Sequence, residues 1–97
     1  MTPLRKYTFT WITSIRIPSS VENIGDSAFW GCESLKTVTI PTSVKMIDSF
    51  AFGACGIEEI YFEGTVEQWN AIEKKDRWCF LTNNFTVHCI DGDITNE

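Results

Sequence analysis

The chain has a single histidine, three prolines and no basic run longer than the pair Lys74-Lys75. One histidine leaves nothing for a His-based relay. The sequence also lacks G-x-S-x-G, a glycine-rich phosphate loop, and paired carboxylates set in an evident pocket. Without those parts no enzymatic role and no cofactor are expected. His88 beside Cys89 does not make a zinc site, because neighbours on a strand point to opposite faces and no CxxC pair supplies further ligands. Asp91, Asp93 and Glu97 fall short of a calcium loop, since the glycine comes between the aspartates and not at the sixth loop position. No metal is expected. Few clustered cations and a net charge of -5 argue against nucleic acid and against an anionic membrane surface.

Long apolar runs are missing too. No stretch approaches the roughly 18 residues of a membrane span, so no membrane insertion is expected. The opening MTPLRKYTFTWITSI lacks the apolar core of about 7 to 15 residues that a secretory signal needs. If the native polypeptide is exported, to the outside or the cell surface, the signal lies upstream and the chain is a piece of something longer.

What is present is a repeat. Ile17 to Cys32 (IPSSVENIGDSAFWGC) recurs 23 positions later as Ile40 to Cys55 (IPTSVKMIDSFAFGAC), with eight of sixteen positions identical. A period in the 20s marks a unit that cannot bury its own apolar face and must stack on a neighbour. Each unit contains a half-buried strand. In LKTVTIP, the apolar Leu35, Val38 and Ile40 alternate with Thr37 and Thr39, and Pro41 ends the run. The phrase occurs earlier at Ile12, Ile15, Ile17 and Pro18, and later at Ile57, Ile60 and Phe62. Three strands in matching positions predict a parallel ladder. Opposite each strand, Asp26 or Ser49 is placed to cap a single helical turn carrying Ala28-Phe29 or Ala51-Phe52, and Gly25 to take positive φ.

From Thr65 the pattern changes. Thr65 and Gln68 form a capping box, and Val66, Trp69 and Ile72 share a helical face, which predicts a helix from the Thr65 cap to about Lys75. Lys74 and Lys75 suit the negative end of its dipole. Phe85 to Ile90 alternates like a final strand, which Asp91-Gly92-Asp93 breaks into a flexible polar tail.

The phrase IPSSVENIGDSAFWGCESLKTVTIP resembles the leucine-rich repeat of the BspA type, with a close match from Ile17 to Phe62. The closing segment is similar to that family's terminator, here Tyr61 to Thr65, Gln68 to Ile72 and Thr86 to Cys89. The resemblance implies an α/β leucine-rich repeat solenoid with short parallel strands, short helical turns and a C-terminal capping helix. It further implies protein contact and adhesion in extracellular or cell-surface proteins, with no enzymatic chemistry. On this reading residues 1–11 are an incomplete N-terminal repeat, 12–64 the leucine-rich repeats, 65–90 a cap of helix plus strand, and 91–97 the polar tail.

Alternation along the strands places Ser14 and Arg16, Thr37 and Thr39, and Glu59 and Tyr61 on one face, the concave face with which solenoids bind. These six are the expected partner-binding residues, with Tyr61 the best anchor because tyrosine is enriched in hot spots. Two other roles stay open: a carbohydrate-recognising module using Trp11 and Trp30, and a structural cap with no ligand. The uncapped N-terminal edge near Tyr7 to Ile17 is a place for self-association. Cys32 and Cys55 read as buried free thiols. Cys79 and Cys89, in the loop-rich end, are either free or joined by a disulfide worth about 2–3 kcal/mol.

Overall fold

The computed structural model describes residues 12–95. Along the chain run β1 (Ser14–Arg16), β2 (Asn23–Ile24), β3 (Thr37–Ile40), β4 (Met46–Ile47), β5 (Glu59–Phe62), α1 (Val66–Ala71), β6 (Glu73–Lys74), β7 (Thr86–Cys89) and β8 (Gly92–Thr95). They form two sheets. β1-β3-β5-β7 are parallel neighbours, with β8 added antiparallel at the end, and β2-β4-β6 make a second, parallel ladder. The result is a small β-solenoid of about three turns with very little helix.

Alternation decides which side chains meet inside. Val38, Ile60 and Val87 are register partners in successive strands, and each is buried. Below them the repeat stacks like on like. Ile24 over Ile47, Ala28 over Ala51 and Phe29 over Phe52 are all buried, and the two phenylalanine rings lie 5.2 Å apart at 5°. Each isoleucine or phenylalanine taken from water contributes about 1.5–3 kcal/mol, and the alanines keep the coils close enough to pack, so identical residues recur where the next coil must fit. Among the described residues no polar or charged residue is buried, and no buried side-chain polar atom lacks a partner.

The arc between the sheets is where expectation and structure part. No helical turn forms at Ala28-Phe29 or Ala51-Phe52. Instead the amides take turns: Ala28, Trp30 and Cys32 donate three residues back, to Gly25, Ser27 and Phe29, whereas Ser27, Phe29 and Gly31 donate to Ser49, Ala51 and Gly53 of the next coil. A helical turn would spend every amide within its own coil. The alternating arrangement leaves half of them free to join coils, which the stack requires. It needs left-handed backbone at two points per coil. These points are Ser27 and Gly31, then Phe50 and Ala54, then Arg77 and Leu81; positive φ does not fall on Gly25, where it was expected.

Downstream of Thr65, a third full coil replaces the expected cap. The capping box forms as read, with the Thr65 side chain accepting from the Gln68 amide, but α1 ends at Ala71 and does not reach Lys75. Glu73 and Lys74 pair with Met46 and Ile47 as a strand, and the arc resumes as Phe52 and Ala54 donate to Trp78 and Phe80. α1 is thus a bulge inside the third coil that takes up its extra length, not a lid across the end of the stack. Lys74 still serves the helix, its ammonium reaching the Trp69 carbonyl at 2.7 Å and the Ile72 carbonyl at 3.2 Å. Burial lowers its pKa.

The polar tail is also corrected. Gly92–Thr95 folds back as β8 on β7, Ile94 packs against the core, and Asp91 accepts a hydrogen bond from the Val66 amide at 2.8 Å. The incomplete repeat at 1–11, Trp11 and the first part of the Tyr7 to Ile17 edge lie outside the described residues. β1 is the outermost described strand on that side.

Candidate functional site

The outward face of the five-stranded sheet carries two rows of side chains. Ser14, Thr37, Glu59 and Thr86 are register partners in one, and Arg16, Thr39, Tyr61 and His88 in the other. All six residues expected at the surface therefore share one face. Ser14, Arg16 and Tyr61 are exposed, and Thr37, Thr39 and Glu59 are half-buried. Antiparallel pairing then brings Thr95 opposite Thr86 and Asp93 opposite His88.

Chemistry concentrates where β5, β7 and β8 meet. The Tyr61 and His88 rings stack at 4.8 Å and 20°. Tyr61 donates its hydroxyl hydrogen to Glu59 Oε1 at 3.1 Å. That bond and the negative charge behind it push the phenol pKa up. The same carboxylate oxygen lies 2.8 Å from His88 Nε2, while Asp93 Oδ1 lies 3.0 Å from Nδ1. The hydrogen bond to Glu59, opposed by slight desolvation and reinforced by Asp93, raises the histidine pKa. At the opposite side of the face Arg16 pairs with Glu63 at 2.6 Å. Both partners are open to solvent, so the pair contributes under about 1 kcal/mol to stability and mainly orients the guanidinium.

His88, Asp93 and Glu63 were not among the expected site residues. The parity of Thr86 and His88 in FTVHCI is a usable signal, since it matches that of Glu59 and Tyr61 once β7 is a fourth rung of the ladder. Asp93 left no signal, because its place depends on β8 reversing direction.

Other candidates land elsewhere. Trp30 lies on the arc, half-buried, edge-on to Phe50 at 5.8 Å, and two of its ring carbons stand 2.4 Å from where a Cβ on Gly53 would be. Its ring fills the space that Gly53 leaves open, so the tryptophan is packing between coils. No disulfide joins the four cysteines, of which Cys32 and Cys55 are buried and Cys79 and Cys89 half-buried. The Cys55 thiol also bonds, donating to the Phe29 carbonyl at 3.0 Å. Thr82, one coil on, does the same with its hydroxyl toward Phe52 and accepts the Cys55 amide at 3.2 Å. Burial pushes the Cys55 pKa up to about 12.

The model of the BspA type leucine-rich repeat region (6 copies) matches residues 2–91, and the chain belongs to that family. It is thus a repeat module of a kind often used for protein interaction. No match was found among curated proteins or among solved structures. Among the described residues no helix is long and apolar enough to cross a membrane.

Proposed function

We propose that the chain is a protein-binding repeat module of a cell-surface or secreted adhesion protein, that it binds through the outward face of the five-stranded sheet, and that it performs no catalysis. The observation that carries this reading is Tyr61, 42% exposed at the middle of a continuous polar face, with Arg16 and Thr39 in its row and Ser14, Thr37 and Glu59 alongside. A large aromatic ring left in water costs burial energy that a partner can recover. Position 61 sits between a cation at Arg16 and the carboxylates of Glu59 and Asp93, which gives the face a charge pattern for selecting a partner.

A photo-crosslinking residue at position 61 tests this. A protein adduct from that position, reduced in an Arg16→Ala background and missing when the crosslinker is moved to Glu33 on the arc, supports the reading. Equal adducts from both positions refute it. A second reading, a closing element without a ligand, is favoured by β8, whose reversal and Asp91 contact to α1 finish the sheet. On that reading neither position yields an adduct.

A further inference from the structure

His88 is the only histidine in the chain, and each of its ring nitrogens faces a carboxylate oxygen. A neutral imidazole carries one N–H and can donate to one of them; the imidazolium donates to both. With the proton lost, one ring nitrogen presents its lone pair to an anionic oxygen. The arrangement fits the charged ring. The groups facing His88 are Glu59 and Tyr61 from β5 and Asp93 from β8, and Thr86 shares its face on β7.

The two carboxylates are not held alike. Glu59 stands on an inner strand and also accepts from Tyr61, whereas Asp93 stands on β8, the last strand of the sheet. We propose that His88 is a pH-responsive clamp on the outward face, tying edge strand β8 to β5 across β7 while protonated and letting go of Asp93 when neutral. This rests on reading the face as a contact surface and adds its regulation. With the clamp closed, Glu59 and Asp93 are partly neutralised within the protein; with it open, both present full negative charge to a partner beside Tyr61. The raised pKa of His88 is consistent with the geometry. Because the folded-state value lies above the unfolded one, the clamp's contribution is complete below about pH 6.5 and is lost as pH rises through the folded-state value.

A lone histidine gives one assignable ring signal, so the full chain can be titrated by NMR. His88 is expected to titrate above its ordinary value, and Glu59→Gln and Asp93→Asn are each expected to bring it down. Hydrogen-exchange protection of the Ile94 amide, the one opposite Val87 that faces β7, corrected for the intrinsic pH dependence of exchange, should fall by about threefold across that titration, as for one exposed ionic contact. In His88→Asn the step should vanish. Titration at or below the ordinary value, a value unmoved by both carboxylate variants, or β8 protection that ignores pH would each overturn the clamp. None of those results bears on the crosslinking from position 61, so the two ideas fail separately.

Discussion

Gly31 and Ala54 hold the same place in successive coils, both with left-handed backbone, at φ 79° and 52°. A Cβ added at Gly31 would meet nothing within 4 Å. Gly31→Ala therefore changes backbone energetics almost alone, which is rare for a core-adjacent site. Left-handed backbone costs an L-residue about 1–2 kcal/mol. Against this, alanine has less conformational freedom to lose than glycine, by about 0.5–1 kcal/mol. The difference leaves Gly31→Ala destabilising by about 0.5–1 kcal/mol. The reverse change, Ala54→Gly, should stabilise by a similar amount, less a few tenths for the half-buried methyl it removes. For a domain of this size these values correspond to Tm changes of about 2–8 °C in opposite directions. Urea unfolding measures both, and the m-value should not change, since no burial is redistributed. If Gly31→Ala is neutral or Ala54→Gly is destabilising, the left-handed positions are not where the arc holds its strain.

Three further outcomes follow from the packing. Gly53→Ala should destabilise by about 1–3 kcal/mol because its Cβ meets the Trp30 ring, and Trp30→Ala in the same chain should remove most of that penalty in a double-mutant cycle. Cys55→Ser should be tolerated, since a hydroxyl does the same bonding at Thr82, whereas Thr82→Val should cost about 1–3 kcal/mol by stranding the Cys55 amide and the Phe52 carbonyl; thermal melts compare them. Finally, the Cys55 pKa is raised from 9.0 to about 12, so its contribution to stability is present below pH 9 and lost as pH rises toward 12. Melts across that window should show an alkaline decline that is smaller in Cys55→Ser.

The ladder was readable because β-strand parity needs only local sequence. Ile15, Val38 and Ile60 fall one coil apart, and that spacing alone put Arg16, Thr39 and Tyr61 in one row. The third coil was hidden by substitution. Where earlier coils have Ala28-Phe29 and Ala51-Phe52, the third has Trp78-Cys79, and where they have Cys32 and Cys55 it has Thr82. Large and small side chains have traded places, and a hydroxyl has replaced a thiol, so residue identity no longer marked the unit though its backbone did. The Trp69 helix misled in the same region: its capping box is real, but the pairing of Glu73 and Lys74 with β4 ends it at Ala71.

The amino-acid sequence by itself determined that the chain stacks, which residues fill the core of the first two coils, and which side of the strands is polar, because periodicity of apolar residues at fixed spacing is enough to place faces. Only the tertiary structure decided that the arcs are chains of turns and not helix, since the choice depends on amides finding carbonyls in the next coil. The tertiary structure alone also brought Asp93 to His88. That contact joins strands running in opposite directions, and no local pattern in an acidic C-terminal segment announces where it turns.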